Sequence, residues 1–378
     1  MDLILKRSLL NFKRELKAAT TIVTDKPVPA ELNRLREWIL SAYKNIEDGL
    51  NQLEYYIGLN DSDLHEDILS NFSSLQTVFR IISTKYLPAI YRNHDNDLLA
   101  LKLLTWLHNE HSQTKNQPFF IQDGDFSILT GVGYPLGYYL PVISQQGLLF
   151  LPLFFHEIGH YFYKAHKPEM DALVQELQTK LGVILQPPFK SNNQVAKDQA
   201  DKAQRIVETW YEWTQEFFCD AVGLEIGGKT YLNAFSYYLR MQGQNSLQLP
   251  EKNLANSSHP VNWLRIKFLA ERARRLGLIA EADALEKSWQ KIADTLKINE
   301  EYFGYYSPKY HQAITETIDN MLVEAAPVSF GDYVTTATGA NSSYIQLIHE
   351  AWDNFESDPE QYDQWERSIV RSLLKNQI

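Results

Sequence analysis

ELNRLREWILSAYKNIEDGLNQLEYYI, residues 31–57, gives the clearest indication of the fold of this chain. Its apolar residues recur every three or four positions, which is the period of an amphipathic α-helix with one buried face. Similar patterning covers most of residues 1–115, resumes at about residue 149 and continues almost to the C-terminus. We therefore expect a mainly α-helical protein.

A different pattern separates these helical regions. From residue 118 to about 145 the chain reads PFFIQDGDFSILTGVGYPLGYYLPVIS, in which β-branched and aromatic residues are interrupted by glycine and proline. Such composition is typical of a small sheet or hairpin. The fold class is therefore mainly α with a small β element (α+β). We divide the chain into an N-terminal helical region (1–115), a core (116–300) and a C-terminal helical region (301–378), with loops at 186–193, 242–260 and 326–343.

Composition limits the classes of function. The chain has 378 residues, of which 44% are hydrophobic, and this is enough for a large core in two or three subdomains. Its formal net charge of −11 argues against a nucleic-acid partner, because phosphate binding needs clustered Lys and Arg. Cys219 is the single cysteine, so we expect no intrachain disulfide, no thiolate-based zinc site and a reducing compartment.

The N-terminal sequence MDLILKRSLLNFKREL is interrupted by charge every few residues. It lacks the continuous apolar run of a signal peptide. No window reaches the ~18 apolar residues that a membrane helix needs. We expect a cytoplasmic protein without a transmembrane segment.

A chemical motif follows the most apolar run of the chain, LLFLPLFF (148–155). The next five residues are HEIGH (156–160), and on a helix His156 and His160 lie one turn apart on the same face, where two neutral imidazoles can bind one metal ion. Glu157 is offset from both and suits a general base. Nitrogen and carboxylate ligands favour Zn²⁺ with one position open for water. The apolar run indicates that the helix is buried on one side, which holds the imidazoles rigidly.

A third ligand is required, and two candidates compete for this role. His166 stands six residues after His160, but Tyr163 occupies the position where a glycine would let the chain turn back. Glu216 and Asp220 in EFFCD share one face of a downstream helix. Glu216 can supply the third ligand while Asp220 accepts a hydrogen bond from a liganding histidine. An exposed acidic helix face is the alternative interpretation of this pair.

HEIGH followed by EFFCD resembles the gluzincin zinc metallopeptidases, whose pattern is HExxH with a downstream ExxxD. The long interval between the motifs is most similar to the prenyl-protein (CAAX) endopeptidase and HtpX-type group, and Ser257-Ser258-His259-Pro260 with Arg265-Ile266 resembles a further segment of that group. The resemblance runs from the end of the strand region to Ile266. It implies zinc bound by the two histidines and Glu216, Glu157 as general base, and Asp220 orienting a histidine.

The resemblance also has implications beyond the ligands. It implies hydrolysis of a peptide or protein substrate, and a strand at GYYLPVIS (137–144) that forms the rim of the cleft and pairs with the substrate backbone. Those relatives are commonly embedded in membranes, whereas this chain has no expected span, so their lipidated substrates do not carry over. A hairpin packed on the helix is the alternative interpretation of 137–144, and Pro141 would then mark an edge strand.

Several assignments stay open at the level of sequence. His259 is our candidate for a further catalytic residue that stabilises an oxyanion, with Arg265, Tyr138 and Tyr139 as alternatives, although Ser258-His259-Pro260 is also a good helix start. The helical flanks can bind a partner protein. A catalytically silent helical interaction or regulatory module, with a structural metal site closed by His259 or His166, is the alternative to a peptidase.

Overall fold

The computed structural model describes residues 2–59, 61–92, 97–131, 133–142, 144, 147–185, 194–241, 247–331 and 344–375. These form two compact units, Met1–Gln146 and Gly147–Ile378. The predicted fold class, mainly α with a small β element, is confirmed. The three predicted regions stay a prediction, and the two units divide the chain at a different point. The predicted loop 186–193 lies outside the described residues, as do 242–246 and 332–343 of the other two loops.

Unit 1 begins with helices that pack through the predicted apolar faces. They are α1 (Asp2–Asp25), α2 (Asn33–Leu59), α3 (His65–Ile81), α4 (Leu87–Tyr91) and α5 (Leu98–Glu110), with 3-10 turns at Ala30–Leu32 and Ser62–Leu64 and a π-helical turn at Ile82–Tyr86. On α2, the buried residues keep the 3.6-residue period: Leu35, Ile39, Tyr43, Ile46, Leu50, Leu53 and Ile57. Phe12 of α1 contacts the rings of Phe72 and Phe79 with centroids 5.8 and 5.2 Å apart, so α1 and α3 share one core.

The small sheet of unit 1 has three strands, β1 (Phe119–Asp123), β2 (Ser127–Leu129) and β3 (Leu136–Leu140). The order is β1-β3-β2, with β3 parallel to β1 and antiparallel to β2. β3 is therefore the central strand, and the interpretation of 137–144 as an edge strand is wrong. Because both edges of β3 are paired, it cannot also pair with a substrate backbone. Pro141 follows the last residue of the strand, where the ladder needs no N–H donor.

Unit 2 is helical. Its elements are a 3-10 turn at Leu151–Leu153, α6 (Phe154–Ala165), α7 (Lys167–Leu185), α8 (Gln194–Gly227), α9 (Lys229–Met241), α10 (Glu251–Leu254), α11 (Asn262–Arg275), α12 (Ile279–Leu296), a 3-10 turn at Tyr302–Gly304, α13 (Pro308–Ala325), α14 (Tyr344–Ser357) and α15 (Pro359–Lys375). Most of the apolar run before HEIGH is buried, including Phe154 and Phe155. The HEIGH motif lies on α6 as predicted, and EFFCD lies on α8.

A glycine sets the distance between α6 and α8. A Cβ at Gly159 would lie 2.9 Å from the Cα of Cys219 on α8, closer than side-chain carbons approach a backbone. Glycine is therefore the residue that lets these two helices approach so closely. This close packing brings the HEIGH face of α6 against the carboxylates of α8.

The first and last segments of unit 2 are joined by one carboxylate. The backbone N–H of Leu148 donates to Oε1 of Glu366 on α15 at 2.6 Å, and Tyr362 donates its hydroxyl to the same oxygen at 2.5 Å. The preceding helix α14 packs on α9 through Trp352 and Tyr237, whose ring centroids are 5.6 Å apart. The C-terminal helices thus belong to the same packed unit as α6.

Across the described ranges, no helix combines the length and the apolar character that crossing a bilayer would require.

Candidate metal centre

Two imidazoles of α6 face one carboxylate of α8. His156 and His160 lie one turn apart, with ring centroids separated by 5.0 Å. Nε2 of His156 is 3.6 Å from Oε2 of Glu216, and Nε2 of His160 is 3.6 Å from Oε1 of the same residue. The structure therefore brings together the three residues that the sequence predicts as metal ligands.

The state of Glu216 fits a cation-binding role. Glu216 is only 5% exposed, and within the described part of the chain its buried Oε2 has no hydrogen-bond partner. Leaving a buried carboxylate oxygen without a hydrogen bond is costly unless a cation compensates it. Donor atoms about 2.1 Å from a tetrahedral zinc lie about 3.4 Å from one another, close to the observed spacing. The three side chains thus fit a metal ion in both chemistry and spacing.

Asp220 connects His156 to the protein interior. Its Oδ1 lies 2.9 Å from Nδ1 of His156 and also accepts the hydroxyl of Tyr231 at 3.0 Å. Arg265 of α11 donates to both oxygens, Nε to Oδ2 at 2.8 Å and Nη2 to Oδ1 at 2.7 Å. An ionised carboxylate can only accept, so Nδ1 of His156 carries a proton, and Nε2, which faces Glu216, is the nitrogen available to a metal ion.

Arg265 sets the charge of both carboxylates. Burial alone would raise their pKa values, but the Arg265 guanidinium and the hydrogen bonds lower the pKa of Asp220 to about 2. The pKa of Glu216 is also lowered against its burial, by Arg265 and then by His156 and His160. Nη2 of Arg265 lies 3.4 Å from Oε2 of Glu216. Both carboxylates are therefore ionised at neutral pH, as ligand and outer partner require.

Glu157 has a different environment from the other two acids. It is buried beside His156 on α6, and this burial, reinforced by the charge of Glu216, raises its pKa to about 7. A carboxyl group with such a pKa can both take up and release a proton near neutral pH. Burial lowers the pKa of His160 to about 4, so its imidazole is neutral and able to act as a ligand.

His259 lies at the exposed side of the same cluster. Its Nε2 is 3.6 Å from Oε1 of Glu216, and its Nδ1 is 2.9 Å from the Ser258 hydroxyl. Its side chain is 63% exposed, whereas those of His160, His156 and Glu216 are 27%, 9% and 7% exposed. Helix α11 begins at Asn262, so the expected helix start at Ser258-His259-Pro260 is wrong by a few residues. His259 is free of the helix and points its ring at the carboxylate.

The other sequence candidates have different surroundings. His166 caps the C-terminus of α6 and pairs through Nδ1 with Glu324 of α13 at 3.1 Å. Arg265 is buried with its guanidinium 4.7 Å over the Phe235 ring, and its contacts with Asp220 make it a positioning group rather than an oxyanion donor. Tyr138 is buried in unit 1, where its hydroxyl contacts Nε2 of His108 at 3.0 Å.

Cys219 is a further donor near the two histidines, although the sequence analysis expects no thiolate-based zinc site from a single cysteine. One donor atom each from His156, His160 and Cys219 lie within 4.8 Å of one another, so these three residues also form a group that can hold a metal ion. Burial, followed by the charges of Glu216 and other acids, raises the pKa of the thiol. A protonated thiol is a weaker ligand than an ionised carboxylate. Glu216, which faces both Nε2 atoms, is the better third donor.

Tyr231 and Phe235 of α9 were also missed by the sequence reasoning. Tyr231 donates to Asp220, and the Phe235 ring lies between Arg265 and His156, with its centroid 6.2 Å from that of the imidazole. A signal for Tyr231 is available in Gly223, since a Cβ there would lie 2.5 Å from the Tyr231 ring. The glycine four residues before the end of α8 thus makes room for this tyrosine.

Comparison of the chain with protein-family models, with curated proteins and with solved structures finds no match.

Proposed function

We propose that this protein is a zinc-dependent metallopeptidase that hydrolyses peptide bonds, with His156, His160 and Glu216 as metal ligands. The observation that carries the proposal is the pair of 3.6 Å contacts between two imidazole Nε2 atoms and the two oxygens of one buried carboxylate. Oε2 of Glu216 adds to it, since among the described residues it accepts no hydrogen bond and its contact with the Arg265 guanidinium is long, at 3.4 Å. The resemblance of HEIGH and EFFCD to gluzincins points to the same chemistry.

When bound there, Zn²⁺ would supply Lewis-acid chemistry that polarises a carbonyl group and acidifies water. Glu157 takes a proton from the attacking water and returns it to the amine nitrogen as the C–N bond breaks. Its pKa of about 7, raised mainly by burial, suits both transfers. Asp220 keeps His156 in the tautomer with the Nε2 lone pair directed at the ligand cluster. His259 donates from its ring to the oxygen that becomes negatively charged.

A second candidate function has support from the position of His259. Its Nε2 lies at the same 3.6 Å from Glu216 as those of the other two histidines. A site of four protein ligands leaves no open position and is structural. In this alternative the chain is a catalytically silent helical interaction or regulatory module. The helical flanks would then bind a partner protein.

The deciding experiment measures metal content and hydrolysis on the same preparations. The variants are Glu157→Gln, Glu216→Ala, His259→Ala and Cys219→Ser, with zinc measured by elemental analysis and cleavage measured on a peptide library by mass spectrometry. A peptidase retains one zinc per chain in Glu157→Gln but loses about 10²–10⁴-fold in rate. Glu216→Ala loses most of the metal, whereas Cys219→Ser keeps it.

The outcomes separate the two candidates. Loss of zinc in His259→Ala, together with no cleavage by the wild type, would support the closed structural site. Loss of zinc in Cys219→Ser and retention in Glu216→Ala would replace the carboxylate by the thiolate as third ligand. Cleavage by Glu157→Gln at the wild-type rate with zinc bound would reject the general-base role. Absence of metal from every preparation after zinc loading would reject both functions.

A cytoplasmic location is part of the proposal. It is supported by Cys219, the single cysteine of the chain, which is a buried free thiol in this structure. A reducing compartment suits such a protein.

A further inference from the structure

Helix α1 presents apolar residues on both of its sides. Towards the core, it buries Leu5, Leu9, Phe12 and Leu16. On the opposite side, Leu3 and Leu10 are 62% and 52% exposed, and Ile4 on the adjoining flank is 76% exposed. Single exposed aliphatic residues are common, but three within the first ten residues of one helix form a patch that core packing does not require.

Cationic residues share this outward side. Leu3, Arg7, Leu10, Arg14 and Lys17 follow one another at steps of four, three, four and three residues, so they form a single stripe along the helix. All five are exposed. The stripe therefore alternates leucine with arginine and ends in lysine. It carries three positive charges in a chain whose formal net charge is −11.

The acidic residue within this stretch lies off the stripe. Glu15 accepts a hydrogen bond from Asn11 at 2.8 Å and lines a groove of about 580 Å³ together with Phe12 and Thr77 of α3. On the other flank, Lys13 turns to α2, where it pairs with Glu54 at 2.6 Å and contacts Asn51 at 2.8 Å. Glu15 and Lys13 thus lie on the two flanks of the helix, and the outward stripe keeps only positive charges. From the sequence alone, Asp2 and Glu15 are expected to interrupt any basic face of this helix, and Glu15 lies off the stripe.

We propose that the outward stripe of α1 binds the surface of a bilayer that contains anionic lipids. Leu3 and Leu10 of the stripe and the neighbouring Ile4 enter the interfacial region, while the guanidinium and ammonium groups of the stripe remain at the level of the headgroup phosphates. Charge complementarity selects this occupant, because basic residues next to exposed aliphatic side chains are attracted to anionic headgroups. Because the opposite face of α1 is packed in unit 1, the helix lies on the surface and does not enter the hydrocarbon core.

Vesicle co-sedimentation of the full chain tests this proposal. The probes are vesicles of phosphatidylcholine alone and vesicles of phosphatidylcholine with phosphatidylserine. We expect binding to the second kind only, with a loss of affinity as salt rises, since screening weakens exposed charges. The double variant Arg7→Glu/Arg14→Glu reverses two charges of the stripe and is expected to lower the partitioning of the protein onto the anionic vesicles at least about tenfold. Ile4→Asp/Leu10→Asp has a similar effect through the lost apolar contact.

Matched variants control for charge and exposure. Val323→Asp changes a residue of α13 that is 80% exposed, and Arg367→Glu with Arg371→Glu reverses two cations of α15. Both controls are expected to bind vesicles like the wild type, and circular dichroism checks that every variant is folded. Equal binding by the α1 variants and the wild type would overturn the proposal, as would no binding at low salt. Self-association of the wild type that the α1 variants abolish, without vesicle binding, would assign the stripe to a second copy instead.

Discussion

Oδ1 of Asp220 accepts a hydrogen bond from Nδ1 of His156 at 2.9 Å, and the same oxygen is held by Tyr231 and Arg265. The orientation of one candidate ligand therefore depends on three other helices, α8, α9 and α11. Outer partners of this kind commonly change metal affinity 10–100-fold. The first two predictions follow from this arrangement.

Tyr231→Phe is expected to weaken zinc binding by about tenfold, because it removes one donor to Asp220 and leaves the ring packing intact. The measurement is a zinc titration in competition with a chromophoric chelator, together with the ¹⁵N chemical shifts of His156. Tyr163→Phe is the matched control, since the Tyr163 hydroxyl donates to Asp171 at 2.7 Å instead. Equal loss of affinity in both variants would point to a general structural effect.

Arg265→Met is expected to lower the free energy of unfolding by about 3–5 kcal/mol, because it leaves Asp220 buried without its cation. Urea unfolding in the presence of a chelator measures this without contribution from bound metal. Arg275→Met removes a contact of 2.7 Å with Asp319 at a more exposed position and is expected to cost less than about 1 kcal/mol. A small effect of Arg265→Met would show that Asp220 is stable without the pair.

Gly159→Ala and Gly182→Ala are expected to have opposite effects on stability. The first places a Cβ 2.9 Å from the backbone of Cys219 and is expected to cost about 1–3 kcal/mol as α6 and α8 move apart. The second lies on α7 with open space around the new methyl group, and it is expected to stabilise by about 0.5–1 kcal/mol. Thermal unfolding of both variants measures the difference. Stabilisation by Gly159→Ala would contradict the close approach of the two helices.

Unit 1 is expected to lose stability in acid through His108. Burial lowers the pKa of this histidine from 6.5 to about 3, so between these values the unfolded chain binds a proton that the native protein excludes. Stability is unaffected above pH 6.5 and falls below it by up to about 1.4 kcal/mol per pH unit. Hydrogen exchange of peptides from α5 and β1, measured across this range, reports the loss.

His108→Gln is the control for that prediction. Glutamine can retain a hydrogen bond with Tyr138 but takes up no proton, so the acid-dependent slope is expected to flatten. His111, whose pKa is also lowered by burial, leaves a residual slope. An unchanged slope in His108→Gln would assign the acid sensitivity to other groups.

The helices could be predicted from the sequence because the residues that a helix buries recur every three or four positions. On α2 the buried residues from Leu35 to Ile57 keep this period without exception. The HEIGH and EFFCD pairs were recognisable for the same reason, since residues four apart share a helix face. Pairing between strands is not local. Pro141 alone suggested an edge, but the position of β3 between β1 and β2 depends on partners that its own sequence does not specify.

The contacts around Asp220 could not be predicted either, because they also join segments that are distant along the chain. Arg265 is 45 residues away along the chain and was considered as an oxyanion donor, whereas its bidentate contact with Asp220 fixes it behind the candidate ligands. Tyr231 belongs to a chain with 21 tyrosines, and nothing in its immediate sequence distinguishes it. Cys219 was set aside because a single cysteine cannot form a cysteine-based zinc site, yet one thiol can still join two imidazoles.

The bond between the Leu148 N–H and Glu366 places the beginning of unit 2 beside its last helix. Removal of α15 would leave the Leu148 N–H without this acceptor. The last helix thus supports the segment that leads into α6, and truncation before Glu366 is expected to loosen the support of the candidate metal centre.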